Sequence, residues 1–176
     1  MLNNFTISIL IGGSLCGYYA KAQICVQGHT ISSDMHGNLS KNKKFCDKCG
    51  AETIDKCQDC NSPINGRYIT PGHVIFSNYV TPNYCSNCGK PYPWTIKKIE
   101  AVVKLAQLEE VLTEEEILSF ASDVEVISSD SPATIVSTRK ILKIGAKLSV
   151  RAWAEIRLLL IEIASETAKK IIMDKT

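Results

Sequence analysis

The sequence predicts an α+β protein, with a loop-rich front half of short β-hairpins followed by an all-helical back half. Three observations predict it. Residues 1–94 of the 176 hold all eight cysteines, all three histidines and five of the six prolines. Residues 95–176 hold one proline and one glycine. That back half also repeats apolar residues at helical spacing. The apolar fraction of 45% and charged fraction of 22% suit a folded chain rather than a disordered one. Twenty basic against eighteen acidic side chains leave a net charge of +2. This balance excludes a polybasic nucleic-acid binder that works mainly by phosphate neutralisation, and it excludes an acidic tail protein.

Residues 1–17 form an apolar N-terminal extension. The stretch 5–20 falls short of the roughly 20 residues a spanning helix needs, and its three glycines weaken any helix. No Lys or Arg precedes Lys21, although Ala20-Lys21-Ala22 fits a small-x-small cleavage pattern. Reduced thiol pairs suit a reducing compartment, so the expected location is cytoplasmic and a membrane partner is not expected.

Residues 18–94 carry the chemistry. Cys46-Asp-Lys-Cys49-Gly50, Cys57-Gln-Asp-Cys60-Asn61 and Cys85-Ser-Asn-Cys88-Gly89 are three Cys-x-x-Cys units, and Cys25-Val-Gln-Gly-His29 is a fourth two-ligand unit. Two ligands three or four residues apart on a tight turn can reach one ion, and a zinc tetrahedron takes four. The residue after the second cysteine is Gly50, Asn61 or Gly89, types that accept positive φ and let the turn aim its amides at the thiolates. Four units give eight ligands, enough for two closed sites. Paired in sequence, Cys25, His29, Cys46 and Cys49 make one site and Cys57, Cys60, Cys85 and Cys88 the other. The expected cofactors are therefore two structural Zn2+ ions. A crossed pairing of the units is the main alternative, and His73 could replace His29. Only Cys16 is left over, inside the extension.

Zinc ribbons bind nucleic acid, bind proteins or act as staples. Eight bases and five acids in residues 1–94 give +3. Seven thiolates and two zinc ions bring the total to zero, a poor match for a polyanion. Lys41, Lys43, Lys44 and Lys48 form a small basic patch, and Phe76, Tyr79, Tyr84, Tyr92 and Trp94 could stack on bases. The favoured role for these rings is to pad a small metal-centred core.

The segments Gln23–His29, Phe45–Ala51, Ile64–Arg67 and Tyr84–Thr95 resemble an uncharacterised bacterial family with paired zinc ribbons followed by a helical tail. The likeness covers about residues 18–112 and resumes at Ile163–Lys170; the first seventeen residues depart from it. It implies the fold and the metal ligands, and no activity.

Residues 95–176 read as a helical domain. Thr95 can cap a helix carrying Ile99, Val102, Val103 and Ala106. Thr113-Glu114-Glu115-Glu116 is a capping box before Ile117, Phe120, Ala121 and Val124. Ser131-Pro132 starts a third helix running to about Ile144, with Gly145 suited to its end. A last helix spans about 148–173, and its broad apolar side implies burial on more than one flank, for part of which another copy of the protein is one source. Residues 109–130 hold eight acids and no base, whereas 139–157 hold six bases and one acid. Lys140, Lys143, Lys147 and Arg151 approximate one helical stripe. The simplest account is two solvated faces that pair within one molecule. The sharper readings are docking between subunits, or an anionic lipid or nucleic acid on the stripe.

No phosphate-binding glycine loop and no Gly-x-Ser-x-Gly is present. The expectation is a non-enzymatic interaction or assembly protein, with a protein partner or self-association through the C-terminal helices. A nucleic-acid-binding regulator is the runner-up, and a membrane-associated accessory protein is third.

Overall fold

The computed structural model describes residues 17–72 and 78–174. Cys16, His73 and Phe76 lie outside the described residues, as does nearly all of the N-terminal extension. The front half contains two small antiparallel sheets. In one, β1 (Tyr18–Lys21) pairs with β5 (Asn65–Ile69). In the other, β2 (Gln23–Cys25) lies between β3 (Thr30–Ser32) and β4 (Thr53–Ile54). Strands of two to five residues have too few ladder bonds and too little apolar face to be stable alone. The core beneath them is correspondingly small: Ala22, Ile24 and Ile64 with Cys57, Cys85, Tyr92 and Trp94.

The back half is five helices: α1 (Pro93–Leu108), α2 (Glu114–Ile127), α3 (Thr134–Gly145), α4 (Val150–Ile163) and α5 (Glu166–Met173). They enclose a separate and larger apolar core in which Val102, Phe120, Val124, Ile127, Ile141, Ile156, Leu160, Ile163 and Ile172 are nearly or fully inaccessible. The architecture is the α+β class that the sequence predicts.

Four helix ends match or depart from the sequence reading for identifiable reasons. The box at α2 forms as expected: the Thr113 hydroxyl accepts from the Glu116 amide at 3.2 Å, and the Glu116 carboxylate accepts from the Thr113 amide at 3.1 Å. Helix α1 starts at Pro93 rather than after Thr95. Proline is preorganised for a first helical turn and gives up no needed donor there. Thr95 is instead buried, with its hydroxyl donating to the Asn83 carbonyl at 2.8 Å. Helix α3 starts at Thr134, because Ser131 and Pro132 sit in a preceding turn where the Ser131 amide donates to the Thr134 hydroxyl at 2.9 Å. The single last helix is in fact two. Ala164 is extended (ψ 148°), and the Ser165 hydroxyl caps α5 by accepting from the Ala168 amide. The Ser165 amide, freed from the helix, donates to the Ile127 carbonyl at 2.8 Å and ties the break to α2.

The halves meet at the start of α1. Trp94, 1% exposed, donates its indole N–H to the Pro82 carbonyl at 2.9 Å, and its ring stacks on Tyr92 with 4.7 Å between centroids. The Asn83 side chain donates through Nδ2 to the Ile163 carbonyl at 3.3 Å, and the Tyr84 and Ser128 hydroxyls bond to each other. The third cysteine unit is thereby anchored to α2 and α4.

Gly145 ends α3, but as a packing glycine rather than a left-handed cap. A Cβ there would lie 2.5 Å from the Trp153 ring. Gly145→Ala therefore destabilises the protein by about 1–3 kcal/mol through overpacking, although alanine is the better helix former. Urea unfolding of the two proteins measures this; an unchanged or raised midpoint contradicts it.

Candidate metal centres

The three Cys-x-x-Cys units share one backbone design. The amides of Gly50, Asn61 and Gly89 donate to the carbonyls of Cys46, Cys57 and Cys85 at 2.8–3.0 Å. The amides of those three cysteines then donate to the carbonyls of Ala51, Ser62 and Lys90, closing three tight loops. The chain can turn this way because Gly50, Asn61 and Gly89 take φ of 69°, 60° and 73°. The fourth unit is the turn from β2 to β3. Gly28, at φ 92°, donates to the Cys25 carbonyl at 2.8 Å, and the His29 amide donates to the Cys25 sulfur at 3.3 Å.

The fold assembles these units in sequential pairs. Cys25, His29, Cys46 and Cys49 converge at one point, and Cys57, Cys60, Cys85 and Cys88 at another. Within each group all ligand atoms lie within 4.8 Å of one another. In the second group Cys57 and Cys88 sulfurs are 3.8 Å apart, and Cys60 and Cys85 sulfurs 3.6 Å. In the first, Cys25 and Cys49 sulfurs are 3.8 Å apart. His29 presents Nδ1, 3.5 Å from Cys25 and 3.7 Å from Cys46 sulfur. Four sulfurs at metal–sulfur distances of about 2.3 Å define a tetrahedron with edges of about 3.8 Å. A disulfide needs about 2.05 Å. The spacing fits four donors around one ion and does not fit bonded sulfurs. Each group could hold a metal ion. The grouping is the sequential one, and the choice of Nδ1 is a feature that sequence could not give.

Nearby hydrogen-bond donors favour the thiolate form of Cys46, Cys60 and Cys85. Burial opposes ionisation of Cys46, but the amides of Lys48 and Cys49 outweigh it and hold its thiol below the ordinary range. The Cys88 amide does the same for Cys85. Bonds from Ser62 lower Cys60 to about 6. The opposite corners behave differently. The Lys90 amide favours the Cys88 thiolate, yet burial and the crowding of Cys60, Cys85 and Cys57 together push it up to about 12. Cys49 is likewise raised, despite the Ala51 amide, by burial and by Cys46 and Cys25. Four thiolates at such distances repel unless a cation lies between them, which is the donor chemistry of a divalent soft-metal site.

Two supporting contacts carry no recognisable sequence signal. The Gln23 side chain donates to the Lys43 carbonyl at 2.9 Å and accepts from the Lys43 amide at 3.0 Å, fixing the approach to Cys46. Asp34, nearly buried, accepts from the Gly37 amide at 2.8 Å and from Arg67 at 2.9 Å, linking β5 to the turn after β3.

The chain matches a family described as uncharacterized proteins conserved in bacteria, DUF2321, over residues 18–172. It belongs to that family. The DUF2321 match begins at β1 and ends within α5, so it spans both cysteine groups and all five helices. No curated protein and no solved structure matches the chain.

The other expected surfaces are largely spoken for. Tyr92 and Trp94 are buried and Tyr79 donates its hydroxyl to the Asn65 carbonyl at 2.8 Å, so these rings line the front core. Of the basic stripe, Lys140 pairs with Asp123 at 3.5 Å, Lys147 with Glu116, and Arg151 with Glu155 at 3.3 Å. In the lysine patch, Lys43 pairs with Asp47 and Lys44 lies 5.6 Å from the centre of the Phe45 ring. No helix among the described residues is long and apolar enough to cross a membrane.

The turn after Cys88 tests the knuckle design. A Cβ at Gly89 meets nothing within 4 Å, so only backbone strain opposes substitution. Gly89→Asn should leave metal affinity nearly unchanged, because Asn61 does the same work in the second unit. Gly89→Val should weaken the site by about 1–2 kcal/mol. Competition with a chromogenic chelator reads both; equal affinities for the two variants contradict the prediction.

Proposed function

We propose that the protein is a non-catalytic scaffold in which two structural zinc ions hold a rigid docking module and the helices mediate association with a protein partner or a second copy. The observation that carries this reading is the pair of four-donor groups, with sulfurs 3.6–3.8 Å apart where they face each other. Three thiolates and an imidazole, or four thiolates, fill a tetrahedron and leave no position for a substrate or an activated water. The His29 ligand favours zinc over an all-thiolate iron centre. Residues Cys25, His29, Cys46 and Cys49 would hold one ion, and Cys57, Cys60, Cys85 and Cys88 the other. Each ion would contribute folding free energy of order 10 kcal/mol, as in zinc-finger peptides, to a half whose apolar core is small among the described residues.

Charge supports docking to protein over docking to a polyanion. The stripe on α3 and α4 is mostly neutralised by acids of the same chain, and the zinc-loaded front half carries no net charge. A low-salt mobility-shift assay with single- and double-stranded DNA and RNA should show no binding; a salt-dependent shift contradicts this part of the reading.

Because the two apolar cores are separate, removing metal should act unequally on them. Chelation should abolish the near-ultraviolet dichroism of stacked Tyr92 and Trp94 while most α-helical signal remains. Binding also requires deprotonated thiols, so apparent affinity should fall as pH falls and each ion bound should release protons. A full near-ultraviolet spectrum after verified metal removal contradicts the structural role.

A further inference from the structure

We infer that the outward faces of α2 and α3 form a two-fold interface with the same faces of a second copy, with Glu125 of each chain paired to Arg139 of the other. This rests on the self-association reading above and names its surface. Lys147–Glu116, Lys140–Asp123 and the 2.7 Å bond from the Ser137 hydroxyl to Asp123 set α2 and α3 as antiparallel neighbours in fixed register. These contacts consume the charges along the seam. What remains outside the seam is segregated. On α2, the side opposite buried Phe120, Val124 and Ile127 carries Glu114, Leu118, Ser122 and Glu125. On α3, the side opposite buried Thr138 and Ile141 carries Val136, Arg139 and Lys143. Among the described residues, Glu114, Glu125, Arg139 and Lys143 join no ion pair.

Each face also carries one exposed apolar side chain among its polar ones. Leu118 is 72% exposed and Val136 56% exposed. Arg139 and Lys143 border a cleft between α3, α4 and α5 that Leu142, Ala146, Trp153, Ile171 and Asp174 complete. An acidic face with a projecting leucine thus sits beside a basic face bordering an apolar cleft. One chain cannot bring Glu125 and Arg139 together, since Glu125 borders the groove towards α1 and Arg139 the cleft towards α4 and α5, on opposite flanks of the α2–α3 pair. A two-fold axis parallel to the helices can. It places α2 of one copy over α3 of the other and leaves heights along the axis unchanged. In the register set by Glu116–Lys147 and Asp123–Lys140, Glu125 lies level with residues 138–139. Leu118 lies level with the last turn of α3, beside the cleft. Both halves of the interface are then complementary in charge and in apolar surface.

Full-length, metal-loaded Glu125→Arg and Arg139→Glu chains test this by analytical ultracentrifugation, alone and mixed. Wild type should be a dimer. Each variant alone should dimerise about tenfold or more weakly, because like charges then face each other twice. An equimolar mixture should recover the dimer. In the mixed pair the two substituted side chains face each other with opposite charge, and the native Arg139 of one chain still meets the native Glu125 of the other. Circular dichroism checks that the variants are folded. Leu118→Ser, which changes no charge, should also weaken the dimer. A wild-type monomer at high concentration sinks the self-association reading altogether. A wild-type dimer that none of the three substitutions weakens, or weakened variants that do not recover on mixing, overturns this interface alone.

Discussion

Convergence of chain segments that are far apart in sequence onto two points dominates the front half of this protein. Cys25 and His29 must meet Cys46 and Cys49, and Cys57 and Cys60 must meet Cys85 and Cys88. Every strand there is short, and each cysteine unit sits at the end of a strand or bridge whose register the sulfurs share. The small apolar cluster beneath these strands could not by hydrophobic burial alone order about eighty residues of chain. A metal ion in each four-donor group would supply the difference, because the site exists only in the folded chain and its binding free energy becomes folding free energy.

The helical half depends on the opposite balance. It has a continuous apolar core, caps formed by Thr113, Ser149 and Ser165, and no cysteine. Its tie to the front half runs through the third cysteine unit. Trp94 and Tyr92 cover the sulfur-lined core from one side, and Asn83 and Tyr84 reach α4 and α2 from the other. The Gly28 turn packs against Trp94, so a residue in the first turn of α1 also backs the first pair of ligands. Order at the metal groups and the placement of the helices are therefore mechanically linked.

Legibility in the sequence followed the range of the physics. The four cysteine units, their positive-φ residues and the Thr113 capping box are local devices, and each is visible in a window of a few residues. Spacing gave four two-ligand units and enough donors for two sets of four, but it left a crossed pairing open; the sequential grouping is decided by the fold. The break between α4 and α5 was not visible as a break, because Ala164 and Ser165 lie in an unbroken helical apolar pattern. What decides it is the Ile127 carbonyl, which lies on a different helix and takes the Ser165 amide. Gly145 was legible as a helix end but not as the floor for Trp153. The Gln23 and Asp34 contacts span 20 and 33 residues and leave no pattern at all. The pairing of acids on α2 with bases on α3 was visible as charge segregation, whereas the particular partners were set by helix register.

On the reading proposed above, two fully coordinated zinc ions organise the front of the chain. X-ray absorption at the zinc edge of the purified full-length protein tests it most directly. The account predicts two zinc atoms per chain and a first shell of sulfur at about 2.3 Å with a minor imidazole contribution, from one site of three sulfurs and one nitrogen and one of four sulfurs. A shell containing oxygen ligands in place of sulfur, or a folded chain that holds fewer than two metal atoms, would contradict it.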